Sequence, residues 1–267
     1  MSLDAPTARR LLPVAIPDGH RLLAGRVVVV TAAAGTGIGG ATARRAALEG
    51  ARLVISDRHE RRLAETAEAL SALGAEVLAI PCDVTVQGAL DDLLDTAERE
   101  LGPVDVLVNN AGLGGARRMV DMDDDEWGAI LDVSLTSAFR GTRAAMRRML
   151  PRRRGCIVNV ASVTGWRAEA GQAHYAAAKA GVMALTRCAA LEAAPHGVRV
   201  NAVAPTLAMH PFLAKAVDDA TLRHWEQVQP HGRAADPAEV ASVIAFLASD
   251  YAGYLTGEVL SVGGQHP

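Results

Sequence analysis

The sequence predicts an α/β domain built as a doubly wound, seven-stranded parallel sheet with helices on both faces. Three observations lead to it. Seven short apolar runs rich in β-branched residues recur along the chain; longer segments with helical spacing of apolar residues separate them; and the runs are continuously apolar instead of alternating. Continuous runs belong to strands buried on both sides, as in sheets covered by helices. In chain order the runs are VVVV (27–30), RLVIS (52–56), EVLAI (76–80), VDVLVN (104–109), CIVNV (156–160), VRVNAV (198–203) and VLSV (259–262). Segments such as ATARRAALEG, RRLAETAEALSALG and PAEVASVIAFLASD carry the helical pattern that turns successive strands into parallel βα units.

No composition break or repeat divides the 267 residues. The expected organisation is an N-terminal arm (1–24) and one domain (25–267), with a lid over about residues 206–229. Half of the residues are apolar and the formal net charge is −3, which supplies a core and offers no basic face to nucleic acid. Aromatics make up 3%, too few for a base-stacking surface. No apolar run approaches membrane-spanning length, so a cytoplasmic protein is expected. Cys82, Cys156 and Cys188 lie in or beside apolar segments, lack metal-ligand spacing and read as reduced, buried thiols, and the eight histidines are scattered; no metal is expected. The acidic stretch Asp121–Glu126 reads as the charged N-terminus of the following helix, and Arg152-Arg153-Arg154 as a solvated turn. Of 27 basic residues only Lys179 and Lys215 are lysines, which singles both out.

Directly after the first strand comes TAAAGTGIGG (31–40), which contains Gly35-x-Gly37-x-x-Gly40. The pattern alone is weak. Its setting is informative, because a helix follows it and Asp57 ends the second strand twenty residues after Gly37. In such a unit the glycines let the backbone approach a pyrophosphate, the helix N-terminus supplies positive potential, and the carboxylate accepts ribose hydroxyls. Asp57 repels a 2′-phosphate and favours NAD, whereas Arg58 beside it leaves NADP open.

The fourth strand ends in Asn109-Asn110-Ala111-Gly112, the fifth in Val160-Ala161-Ser162, and thirteen residues after Ser162 begins Tyr175-Ala-Ala-Ala-Lys179. A phenol is a poor base near neutral pH, but a cation one helical turn away stabilises the phenolate, and Lys179 occupies that i+4 place. Ser162 sits at a strand's C-terminal end, where ligands of open α/β sheets bind.

The glycine loop, Asp83-Val84, NNAG, the Ser162–YxxxK spacing and YLTGEVLSV together resemble the short-chain dehydrogenase/reductase family over roughly residues 25–263. The resemblance implies a single-domain Rossmann fold and hydride transfer between a secondary alcohol or ketone and a nicotinamide. Ser162, Tyr175 and Lys179 would be catalytic, with Lys179 also on the nicotinamide ribose. Asp83 and Val84 would face adenine; Asn109, Asn110, Ala111 and Gly112 the ribose; Thr36, Gly37, Ile38 and Pro205 the pyrophosphate and nicotinamide end. It also implies a homotetramer built on helices around 123–150 and 173–193.

The chain departs from the family pattern in places. Its loop is one residue longer than TGxxxGIG, with Ala32 where the first glycine would stand. Ser134 replaces a catalytic asparagine, keeping a hydroxyl for a relay water. Pro205-Thr206 replaces proline-glycine, and His210 a threonine, which leaves open a polar contact or a role as acid or base. Met209, Pro211, Phe212, Leu213, Trp225 and Trp166 suggest a sizeable hydrophobic substrate. VTAAAGTGIG, LDVSLTSAFR and HYAAAKAGVMALTRC resemble a subgroup of actinobacterial steroid-breakdown enzymes that oxidise a ring hydroxyl on a bicyclic CoA thioester, while GRAADPAEVASVIAFLASDYAGYLTGEV is similar to NADPH-linked 3-oxoacyl-[acyl-carrier-protein] reductases. Arg117 and Arg118 read either as a steering charge for phosphates at the cleft mouth or as plain surface charge. Loss of catalysis, leaving a dinucleotide sensor or scaffold, is the alternative of another class.

Overall fold

The computed structural model describes residues 19–167, 169–209 and 219–263. Seven strands form one parallel sheet: β1 (Val27–Thr31), β2 (Arg52–Asp57), β3 (Val77–Pro81), β4 (Val104–Asn109), β5 (Gly155–Val160), β6 (Val198–Pro205) and β7 (Val259–Val262). Their order is β3-β2-β1-β4-β5-β6-β7, so the winding reverses between β1 and β4. The expected doubly wound sheet is the observed one. Each strand coincides with a predicted apolar run to within two residues.

Side chains alternate between two cores. Val28 and Val30 of β1, Val106 and Val108 of β4 and Val158 of β5 pack beneath α1 (Ile38–Leu48), α2 (Glu60–Ser71) and α8 (Pro237–Ala248). Val27, Val29, Leu107, Ile157 and Val200 face α3 (Ala89–Leu101), α5 (Ser137–Arg152) and α6 (Ala173–Ala193). A fully buried residue such as Leu107 or Ile157 would cost about 2–5 kcal/mol if cut to alanine. At the N-terminus, the backbone amides of His20 and Leu22 donate to Glu49, itself held in a buried ion pair with Arg45, so residues 20–24 pack against the end of α1.

A buried polar chain fixes the register of the second core. The Asn109 amide donates to Asn159 Oδ1 (2.9 Å) and Thr142 Oγ1 (3.2 Å), and Asn159 Nδ2 donates to Thr186 Oγ1 (2.9 Å). Gly141 makes this possible, since a Cβ there would lie 2.2 Å from Asn109 Oδ1. Fully paired networks of this kind specify one packing of β4, β5, α5 and α6.

The acidic stretch behaves as read: Asp123 caps α4 (Asp124–Leu131) by accepting from the Glu126 amide at 2.7 Å. Cys82 and Cys156 are buried as read, whereas Cys188 is exposed on α6. Of Arg152–Arg154, read as a solvated turn, Arg153 and Arg154 are exposed as expected, whereas Arg152 is half-buried. Arg152 bonds Glu98 and the Val104 carbonyl, both at 2.7 Å; Arg153 donates to the Pro195 carbonyl, and Arg154 pairs with Asp105. The cause is the position at the N-terminal edge of the sheet, where helices end and leave carbonyls unpaired.

Within the expected lid, residues 210–218, including His210, Pro211, Phe212 and Leu213, lie outside the described residues. The segment's two sides are joined by Met209 N to Ala235 O and Ala235 N to Leu207 O, with α7 (Asp219–Gln227) between them.

Candidate active site

The C-terminal ends of β1 and β4, where the winding reverses, frame the site. Ala32, in place of a glycine, takes a left-handed backbone (φ 50°), and Gly35 follows at φ 93°. Asn110 holds this turn: its Nδ2 donates to the carbonyls of Thr31 and Ala32, both at 3.0 Å. Thr31 Oγ1 accepts from the amides of Asn110 (3.0 Å) and Ala111 (3.3 Å). The loop folds back on α1 so closely that a Cβ on Gly39 would lie 2.3 Å from the Ala32 carbonyl and one on Gly40 1.8 Å from the Gly35 carbonyl. Above Gly37 the reverse holds, with no atom within 4 Å of a Cβ position. Gly37 also begins α1 without a side-chain cap, beside Thr36 and Ile38. Open space over a glycine at an uncapped helix N-terminus is a cradle that fits a pyrophosphate.

Asp57 closes the next part of the path. Its carboxylate accepts from the amides of Ala34 (3.2 Å) and His59 (2.9 Å), which fix it at the end of β2. Arg58 is exposed and acts electrostatically on Asp83, whose carboxyl is held below its ordinary range chiefly by hydrogen bonds from Thr85, with Arg58 contributing. Arg140 reaches from α5 to the carbonyls of Val84 (3.4 Å) and Thr85 (2.8 Å) and pairs with Asp132. It braces the Asp83–Val84 turn.

Across the switch point, Ser162, Tyr175 and Lys179 come together. The turn after β5 presses on α6 at Gly165, where a Cβ would lie 2.8 Å from the Ala180 amide nitrogen. Only a residue without a side chain permits that approach, and it brings Ser162 to the Tyr175 hydroxyl, with which it is hydrogen-bonded. Thr164 accepts from or donates to Ser162 Oγ across 3.1 Å, and its amide donates to the same oxygen. Lys179 is 2% exposed, donates to the Val160 carbonyl at 2.7 Å, and stands 5.7 Å from the centre of the Tyr175 ring. Gly112 lies against it, a Cβ there falling 3.2 Å from Lys179 Nζ.

Electrostatics differ here from the sequence expectation. Burial pushes the Tyr175 phenol up, more than the Ser162 hydrogen bond pulls it down, and burial lowers Lys179 to about 8. The helical spacing is as expected, and the ammonium is aimed at a carbonyl, so burial disfavours the charged form of both groups.

Several side chains have employment that the sequence did not reveal. Asn109 and Asn110 are neighbours with opposite duties: Asn109 is in the interior network, and Asn110 clamps the glycine loop. Ser134 lies in a π-turn (Asp132–Thr136), where its hydroxyl accepts from the Leu113 amide (2.9 Å) and donates to the Leu113 carbonyl (3.1 Å). Thr206 turns toward β7, donating to the Val262 carbonyl, and Gly263 leaves room for it. Pro205 ends β6 beside it. Trp166 is packed on the small core around Ala161, Val182 and Met183. Arg117 and Arg118 are paired with Glu126 and Asp121. Thr31 and Arg140 escaped notice because a threonine ending a strand and an arginine on a helix carry no signal until strand order brings their partners close.

Comparisons with known proteins agree with this geometry. A family profile described as enoyl-(acyl carrier protein) reductase matches residues 32–265. The (5R,7aS)-5-hydroxy-7a-methyl-1-oxo-2,3,5,6,7,7a-hexahydro-1H-indene-carboxyl-CoA reductase of Mycobacterium tuberculosis is 62% identical over 252 residues, 93% of this chain and 96% of that protein. The 3-oxoacyl-[acyl-carrier-protein] reductase of Vibrio cholerae is 41% identical over 91% of this chain and 97% of its own length. A crystal structure of a short chain dehydrogenase from Mycobacterium smegmatis superposes with a TM-score of 0.85 at 55% identity, covering 95% of this chain and 98% of that one. With the reversed winding, the glycine cradle and the Ser162–Tyr175–Lys179 cluster on one sheet edge, the chain belongs to the short-chain dehydrogenase/reductase family of oxidoreductases acting on CH–OH and C=O groups.

Proposed function

We propose that this protein is an NAD-linked dehydrogenase that oxidises a ring hydroxyl on a bulky, bicyclic, steroid-derived CoA thioester. The observation that carries the catalytic part is the convergence of Ser162, Tyr175 and Lys179 beside Gly112. Support for the substrate comes from the 62% identical Mycobacterium tuberculosis relative, which is named for a hydroxylated bicyclic CoA compound.

Thr36, Gly37 and Ile38 would hold the pyrophosphate, Asp57 the adenosine ribose, Asp83 and Val84 the adenine, and Asn110, Ala111, Gly112, Lys179 and Pro205 the nicotinamide half. A nicotinamide held there would supply the hydride chemistry at the substrate carbon. Ser162 hydrogen-bonds the substrate oxygen while Thr164 keeps its hydroxyl oriented. Tyr175 takes the hydroxyl proton during oxidation and returns it during reduction, and Lys179 supports the charge that develops on the phenol. Ser134 keeps Leu113 in place and retains one lone pair for a relay water. The relative is named for the reductive direction, and the same groups serve both directions. The fixed Asp57 carboxylate supports NAD, while exposed Arg58 is the route by which NADP would enter. A homotetramer is supported by exposed Phe139 on α5 and Leu191 on α6.

The 41% identical carrier-protein reductase favours one further reading, NADPH-linked reduction of a 3-oxoacyl thioester. Initial rates with NAD and NADP against the hydroxylated bicyclic CoA thioester, hydroxysteroids and 3-hydroxyacyl thioesters separate the two. NAD-linked turnover of the bicyclic compound, lost by at least about 10³-fold in Tyr175→Phe, is the expected result. Preference for NADP and acyl thioesters would move the protein to the second reading. Cofactor binding with no turnover, unchanged by Tyr175→Phe, would make it a sensor.

A further inference from the structure

Immediately before Tyr175 stands His174, a histidine with 0% exposure on the first turn of α6. The first amides of a helix lack partners within it, and Gln172, which begins α6, supplies no side-chain cap. His174 fills that gap in an unusual way. Its Nδ1 accepts from the backbone amide of Tyr175 at 2.8 Å. An accepting Nδ1 leaves the proton of a neutral ring on Nε2. That nitrogen is buried and has no hydrogen-bond partner among the described residues; it faces the segment after β4, 3.5 Å from the Cβ position of Gly115, while the Cβ position of Gly114 is 4.0 Å from Tyr175 Cε2. A phenyl ring would fill the same space beside Ile130 without an unpaired donor. The nitrogen that does have a partner accounts for the choice of imidazole.

We propose that His174 is a positioning residue for Tyr175: a neutral, Nε2-protonated imidazole whose Nδ1 holds the tyrosine's amide and thereby sets the direction in which its phenol meets Ser162. His174 touches no reacting atom. Tyr175 is the third residue of α6, whose N-cap Gln172 offers no side-chain bond, so the His174 contact holds its backbone in the first turn. Asparagine is the conservative replacement, because its Oδ1 occupies the place of Nδ1 and accepts the same amide; phenylalanine keeps the ring volume and loses the acceptor.

This inference rests on the catalytic reading of Tyr175, and the experiment separates the two. The full-length protein, His174→Asn, His174→Phe and Tyr175→Phe are compared for kcat and for KM of NAD, with melting temperature as a control for folding. Phenylalanine should lower kcat about tenfold with KM for NAD within about twofold, and asparagine should recover kcat to within about threefold of the natural chain. In ¹⁵N-histidine-labelled protein, with the His174 signals assigned by their loss in the asparagine variant, the ring should show a protonated Nε2 and a bare Nδ1. Unchanged kcat in His174→Phe, an asparagine variant as impaired as the phenylalanine one, or a proton on Nδ1 would each overturn the proposal. If His174→Phe does not fold, the tautomer and the asparagine variant carry the test. Activity surviving in Tyr175→Phe would overturn the catalytic reading itself and leave the tautomer measurement standing.

Discussion

The two edges of the sheet treat positive charge in opposite ways. At the N-terminal edge, guanidinium groups bind helix-end carbonyls and carboxylates together: Arg26 bonds the Ala248 carbonyl and Asp250, Arg199 the carbonyls of Leu247 and Ser249, and Arg52 the Leu101 carbonyl and Glu76. Arg52 is raised above its ordinary value, first of all by its hydrogen bond to Glu76. At the C-terminal edge a lysine is buried with one carbonyl partner, and among the described residues no carboxylate pairs with it. Its pKa falls to about 8. Planar guanidinium with five donors suits multiple fixed acceptors, whereas an ammonium shifts its titration readily when desolvated. Charge at one edge is satisfied and holds helices in place; at the other it is left short of partners where the proposed reaction would use it.

The sharpest way to break this contrast is Lys179→Met. The substitution should reduce turnover by at least about 10³-fold, yet raise unfolding free energy by about 1–3 kcal/mol at neutral pH, because a desolvated ammonium gives way to an apolar chain of similar length. Activity assays and urea unfolding on the same preparation check both signs; a variant that is inactive and less stable would mean that the lysine is needed for packing. The same group sets a pH slope. Between about 8 and the ordinary 10.5 the folded chain binds fewer protons at Lys179 than the unfolded chain, so stability should rise with pH across that window, and the penalty is fully present below 8. Denaturation at about pH 7.5 and about pH 9.5 should show a gain of about 2 kcal/mol that is absent in Lys179→Met.

At the opposite edge, Arg199→Ala should cost about 1–3 kcal/mol through the carbonyls it leaves unpaired, with kcat within about twofold of the natural chain. A large fall in kcat there would show that the two edges are coupled. The smallest effect is expected at Ala32→Gly. Relief of the left-handed backbone at φ 50° outweighs the added freedom of the unfolded chain, for a net gain of about 0.5 kcal/mol in thermal unfolding. A loss would mean that the Asn110 clamp already removes the strain.

Much of the fold and of the candidate site was readable before any contact was known. The strands were legible because burial on both faces demands unbroken apolar runs, and Gly37 and Asp57 because they stand at fixed distances within one βα unit. Ser162, Tyr175 and Lys179 were legible as a group through the family resemblance that their spacing carries. Illegible were duties that depend on what lies opposite. Asn109 and Asn110 are chemically identical, and a pleat sends one amide to Asn159 and the other to Ala32. Thr206 looked like an intruder near the cofactor until β7 supplied the Val262 carbonyl. Arg152 looked solvated until β4 and α3 were beside it.

Sequence by itself determined the alternation of strand and helix, the glycine cradle and the set of polar side chains at strand ends, since all of these follow from local spacing and from residue types that suit few environments. Tertiary structure alone decided which nitrogen of which side chain is satisfied, why Tyr175 and Lys179 are both driven toward their neutral forms, and which of two adjacent asparagines guards the loop. Hydrogen bonding and desolvation act over a few ångströms between residues far apart in the chain, and those distances exist only once the sheet is wound.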